Sequence, residues 1–144
     1  MFFGEFFHQL DEKGRIRIPA KLKSAFSTKE CIITKGTNGC LFVFDKKYFV
    51  DEFLVKLSAV PTFDINTQKP IRMLLSSSFE AQEDSQGRFL MPSTLKEYAK
   101  ILKNIVFIGV GNRIEIWSEE NWQEYKGSEF TFDESVSKLS ELNI

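Results

Sequence analysis

Residues 14–19 read GRIRIP, so charged and apolar side chains alternate with a period of two: Arg15 and Arg17 fall on one side, Ile16 and Ile18 on the other. This alternation predicts a short strand with one packed face and one face in solvent. The strand leaves a DxxGR turn at 11–15, and a second DxxGR turn stands at 84–88 ahead of FLMP. In each, the aspartate can bond the turn's own backbone and the glycine supplies the positive φ that a tight, bulged hairpin demands, so two short strands are expected to flank each turn. Pro19 and Pro92 then end the strand and open a short helix at its first position, where a fixed φ fits and a missing N–H costs nothing. AKLKSAF and LKEYAKIL are those helices.

CIITKGTNGCLFVF and NIVFIGVGNRIEIW follow, each a pair of β-rich runs around a glycine-bearing turn. Asp45 and Ser118 are placed to cap the helices KKYFVDEFLVKLSAV and EENWQEYK. In the first of these Phe49, Phe53, Leu54 and Leu57 recur at helical spacing. PTFDINTQKP, bounded by Pro61 and Pro70, reads as a linker, and IRMLLSSS as a helix leading into the second set of strands. The acidic tail after Gly127 is weakly patterned and predicts one loose helix or none.

The order of these elements repeats. Offsetting the chain on itself by 73 residues pairs residues 6–49 with 79–122 without a gap and gives ten identities in 44 pairs, among them Asp11/Asp84, Gly14/Gly87, Arg15/Arg88 and Pro19/Pro92. Ordinary composition gives roughly two or three by accident. The reading is an internal duplication: residues 1–60 as the first unit, 61–78 as linker and helix, 79–126 as the second unit and 127–144 as a tail. Each unit is too small to close its own core. The pair is therefore expected to clasp about a pseudo-twofold axis in one α+β domain, with both turns on the same side.

Composition narrows the class. At 144 residues and 42% hydrophobic, with fifteen phenylalanines, the chain can bury one core. MFFGEFF is broken by Glu5 and is too short for a signal peptide, and no run approaches a membrane span; a cytoplasmic protein is expected. Cys31, Cys40 and the single histidine, His8, cannot furnish a structural zinc site, and the cysteines read as small buried apolar residues. No nucleophile has an activating partner, and GVG at 109–111 lacks the third glycine of a nucleotide fingerprint. The chain does not read as an enzyme, and no cofactor, metal or small-molecule substrate is expected.

Charge then singles out the turns. The net charge is only −1, yet Lys13, Arg15, Arg17, Lys21 and Lys23 crowd residues 13–23 without an acid, while residues 115–144 carry eight acids against Lys126 and Lys138. One reading is structural: Asp11 pairs with Arg15 and Asp84 with Arg88 across each turn, the glycines serving geometry. An exposed pair of this kind is worth about 0–1 kcal/mol and gives no reason to gather four further cations beside it. Guanidinium groups on a stiff two-stranded element suit phosphates or the guanine edge, so nucleic-acid binding is the sharper reading.

Three stretches carry a family likeness: MFFGEFFHQLDEKGRIRIP, DSQGRFLMPSTLKEYA and NIVFIGVGNRIEIWSEENW. Together they resemble the MraZ family of bacterial transcriptional regulators, and the likeness runs from Met1 to about Trp122 and Tyr125. DxxGR followed by an apolar strand and proline is shared more widely with AbrB-like DNA-binding proteins. The resemblance implies a duplicated AbrB-like (swapped-hairpin, double-split) β-barrel with short flanking helices. It also implies a ring-shaped homo-oligomer, associated with the nucleoid, that binds double-stranded DNA repeats upstream of the division and cell-wall gene cluster. The family's motif falls here on Asp11, Gly14 and Arg15, and again on Asp84, Gly87 and Arg88. Lys13, Gly14, Arg15, Arg17, Gln86, Gly87 and Arg88 are the expected DNA contacts, with Lys21 and Lys23 on phosphate and Asp11 and Asp84 structuring the turns.

The copies differ in charge: Lys13 answers to Gln86, Arg17 to Leu90 and Lys21 to Thr94. Gln86 could read an adenine edge, and Arg88 is left open between reading bases, holding phosphate and stabilising the fold. The rival class is a non-enzymatic assembly or protein-docking module whose basic hairpin meets an acidic partner.

Overall fold

The computed structural model describes residues 1–128 and 130–144. Among these residues eight strands are formed: β1 (Phe2–Gln9), β2 (Arg15–Ile16), β3 (Cys31–Lys35), β4 (Leu41–Asp45), β5 (Phe79–Glu80), β6 (Phe89–Leu90), β7 (Asn104–Gly111) and β8 (Ile114–Ser118). Six make one antiparallel sheet in the order β1-β7-β8-β4-β3-β5, and β2 with β6 makes a separate two-stranded ladder. The architecture is α+β. The sheet is open among the described residues, since β1 and β5 each pair on one side only; the closed barrel is not formed.

The strands on either side of each DxxGR turn do not pair with each other as a ladder. β1 runs against β7 for eight residues, from Phe2↔Gly111 to Gln9↔Asn104, and β2 runs against β6 through Arg15↔Leu90 and Ile16↔Phe89. β5 joins β3, and β4 joins β8. Every long-range partnership therefore joins the first half of the chain to the second, while only the β3–β4 and β7–β8 hairpins are local. The local hairpin expected at the turns loses because pairing with the other half satisfies more backbone groups along β1.

The register is symmetric at the 73-residue offset. In β4–β8 the pairs Leu41↔Ile116 and Val43↔Ile114 exchange with each other and Phe42↔Glu115 with itself, as Ile16↔Phe89 does in the small ladder. The symmetry stops at the sheet edges, where β5 forms two pairs against the eight of β1.

Apolar parity sets the core. Leu41, Val43, Ile105, Phe107, Ile114 and Ile116 point to one face of the sheet and are fully buried in one cluster with Ile16 and Phe89 of the two-stranded ladder and with Ile18 and Met91 just beyond it. Each large side chain so buried contributes about 1.5–3 kcal/mol. The opposite face carries a smaller cluster of Ile32, Phe44 and Phe49, with Tyr48, Phe53, Leu54 and Leu75 against it. Both faces of β8 are covered, and all five of its residues are buried.

The helices are short. α1 (Ala20–Lys23) and α5 (Ser93–Tyr98) follow Pro19 and Pro92, which stand at the N-cap with φ of −52° and −59°, one position earlier than the sequence suggests. Lys46–Tyr48 (α2), a π-helical stretch Phe49–Leu54 and Val55–Ser58 (α3) form one continuous run. α4 spans Ile65–Ser76 and so takes in most of the expected linker. Asp64 accepts the Asn66 N–H and starts it early, and Pro70 lies inside it rather than ending what precedes. α6 (Glu119–Lys126) is capped by Ser118 as expected, whose hydroxyl accepts the Asn121 N–H. Asp45 makes no such cap: its carboxylate instead accepts the main-chain N–H and hydroxyl of Ser27 and the Thr28 hydroxyl. Burial works against that charge, but these donors outweigh it and hold the Asp45 carboxyl below its usual value. The tail forms α7 (Phe132–Ser137) and a 3-10 turn, Lys138–Leu142.

Cys31 and Cys40 are buried and free, and no described helix is long and apolar enough to cross a membrane. His8 is exposed on β1, its ring edge-on to Phe107 at 5.5 Å.

Candidate nucleic-acid interface

Each DxxGR turn is tied by its own aspartate. Asp11 Oδ1 accepts the main-chain N–H groups of Lys13 and Arg15, both at 2.9 Å, and Oδ2 accepts Arg15 Nε at 2.7 Å. Asp84 repeats this on Gln86 and Arg88, with Arg88 Nε at 3.0 Å. Gly14 and Gly87 take φ of +77° and +76°, which an L side chain resists. Hydrogen bonds to the ionised form, first from the Arg15 N–H and then from its guanidinium and the Lys13 N–H, hold the Asp11 carboxyl below its usual value. The Arg88 N–H, then the Gln86 N–H and the Arg88 guanidinium, do the same for Asp84. The pairing within each turn is thus present, and it pre-orients both guanidiniums.

The two turns sit side by side. Met91 donates its N–H to the Gly14 carbonyl at 3.2 Å, Arg15 Nη1 lies 3.9 Å from the Asp84 carboxylate, and a Cβ placed on Gly87 would stand 3.9 Å from Arg17 Nε and Lys23 Nζ. The β2–β6 ladder between them continues the alternation of the sequence. Ile16, Ile18, Phe89 and Met91 face inward at 1–4% exposure, and Arg15, Arg17, Arg88 and Leu90 face outward.

Tertiary contact alters the charge count read from the sequence. Lys23 pairs with Glu83, contributed by the second half of the chain. Arg15 and Arg88 remain 27% exposed at the side chain beside their aspartates. Lys13, Arg17 and Lys21 are exposed and join no ion pair among the described residues, and the exposed Glu12 is the acid nearest them in sequence. Gln86 is exposed at the tip of the second turn. Neither Glu83 nor Leu90 stands out in the sequence. Leu90 was legible as an outward position by parity, whereas the approach of Glu83 to Lys23 spans sixty residues and needs the fold.

Such a surface can hold anions through Lys13, Arg17 and Lys21. It also holds Arg15 and Arg88 in fixed orientations, because each Nε is already engaged by the aspartate of its own turn. A two-stranded antiparallel ribbon is narrow enough to enter a major groove.

The comparisons with known proteins agree on one family. The family model described as "MraZ protein, putative antitoxin-like" matches residues 1–69 and 74–141. A protein of Clostridium beijerinckii named "Transcriptional regulator MraZ" is 44% identical over the full length of both chains. One of the same name from Clostridium acetobutylicum is 43% identical, again over both full lengths. A third, from Carboxydothermus hydrogenoformans, is 39% identical over 96% of each chain.

Proposed function

The chain belongs to the MraZ family, and on that premise we propose that it is a transcription regulator that binds repeated DNA sites upstream of the division and cell-wall gene cluster through the outer face of the β2–β6 ribbon. The observation that carries this reading is the convergence of both DxxGR turns on one face, where Arg15, Arg17 and Arg88 project outward between them. Lys13, Arg17 and Lys21 hold phosphates and set the register. Arg15, Arg88 and Gln86 meet base edges, the arginines on guanine and the glutamine on adenine. Asp11 and Asp84 do not touch DNA; they fix the turns. The crossed pairing of the two halves supports an AbrB-like swapped-hairpin arrangement built on an open sheet rather than a closed barrel.

One such face carries few uncompensated cations, and each phosphate contact is weak and screened at physiological salt. Useful affinity then comes from a ring-shaped homo-oligomer that offers several faces to successive major grooves about 34 Å apart, each engagement raising the effective concentration of the next.

The test is a gel-shift titration of the DNA upstream of the gene against Arg15→Ala. Loss of at least the roughly 1–3 kcal/mol of a bidentate base contact, with the variant still folded by circular dichroism, is expected. Unchanged affinity would overturn the assignment.

A further inference from the structure

The outer face of the ribbon holds one residue that electrostatics does not explain. Leu90 is 62% exposed. It stands directly opposite Arg15 in the ladder and two residues after Arg88 of the second turn. Its Cδ1 would lie 3.7 Å from a Cβ on Gly14, so it leans over the first turn rather than into the core. Its inward neighbours Phe89 and Met91 are 1% and 4% exposed, so the core gains nothing from Leu90, and moving it inward would shift the whole strand by one residue. At the equivalent place 73 residues earlier, one residue past β2, the chain carries Arg17. The two halves of the chain thus present one cation and one apolar group at matching positions of an otherwise cationic face.

We infer that Leu90 is a specificity residue that packs on the C5-methyl group of thymine in the major groove. The inference rests on the DNA-binding reading above and adds to it the base that the second turn selects. Among groups exposed in the major groove, the C5 methyl is the apolar one, and it lies in the same groove as the N7 and O6 acceptors that arginine takes. A leucine flanked by guanidiniums then reads a thymine beside a guanine. The twofold-related position, with Arg17, lacks this preference. Two symmetric turns would therefore read an asymmetric site.

The experiment uses the full-length protein and two otherwise identical fragments of its upstream DNA, one with thymine and one with deoxyuridine throughout, which removes only the methyl groups. Wild-type protein is expected to bind the uracil fragment about fourfold more weakly for each methyl covered. Leu90→Ala should bind the thymine fragment as weakly as wild type binds uracil and should no longer distinguish the two, and Leu90→Met should keep the distinction. Because Leu90 is exposed, neither variant threatens the fold. Equal binding of both fragments by wild type, or discrimination surviving in Leu90→Ala, overturns the inference while leaving DNA binding intact. Failure of wild type to retard either fragment overturns the DNA reading itself.

Discussion

Arg15 of the first turn stands 3.9 Å from the carboxylate of Asp84 in the second turn, seventy-three residues after its own partner Asp11. The guanidinium lies between two carboxylates while keeping about a quarter of its side chain in solvent. Its orientation is therefore fixed from both halves of the chain. On the proposed DNA-binding reading, such preorganisation lowers the entropy lost when this group takes a base edge.

The exposed cations should separate from the oriented ones in their response to salt. Lys13→Ala and Arg17→Ala are each expected to lower the slope of log affinity against log salt by roughly 0.9 for each engaged face, and to leave thermal stability unchanged. Titrations between about 50 and 200 mM salt check this. An unaltered slope would remove that residue from the phosphate backbone.

Acid should loosen both turns together. Asp11 and Asp84 have folded-state values below the ordinary 3.8, so their contribution is complete above that value and is lost as pH falls through the lower folded values. The double variant Asp11→Asn/Asp84→Asn should melt lower than wild type at neutral pH and then lose less as pH falls from about 6 to about 2. Melting curves followed by circular dichroism would show this as converging lines. Parallel lines would mean the turns are not held by charge.

Gly109→Ala is expected to destabilise the protein by at least the roughly 1–3 kcal/mol of an overpacked site. A Cβ there would fall within 2.6 Å of the main chain at Phe2 and Phe3, where β1 lies on β7, and backbone cannot rotate aside as a side chain can. Urea denaturation gives the value. A loss below about 0.5 kcal/mol would show that β1 is not seated on β7 as described.

Both cysteines should be inert in the folded protein. Burial pushes the Cys31 and Cys40 thiols up to about 12, leaving almost no thiolate at neutral pH. Neither should take up iodoacetamide at about pH 8 until the chain is unfolded, and mass spectrometry of labelled protein decides it. Rapid native labelling would contradict their burial.

Much of the local structure was legible because its causes are local. Period-two alternation placed Ile16 and Ile18 inward and Arg15 and Arg17 outward, and glycine with aspartate set the turns. Ser118 capped its helix because the donor it serves is three residues away. Asp45 did not, because Ser27 and Thr28 lie close in space and outcompete the helix end. The start of α4 at Ile65 was hidden by Pro70, read as punctuation where the cap at Asp64 decides the matter.

By itself the sequence determined the two DxxGR turns and their repeat, most of the strands, the inward and outward sides at Ile16, Ile18, Arg15 and Arg17, and the cations of the turns, all of which follow from steric and hydrogen-bonding rules acting over a few residues. The tertiary structure decided which strands meet. β1 took β7 rather than its neighbour across the turn, and β2 took β6, so a basic face shared by two distant turns arose. It also set Glu83 against Lys23 and left Leu90 uncovered. Partner choice in a sheet depends on burying the summed apolar faces of both halves at once, a cooperative quantity that no short stretch of the chain carries alone.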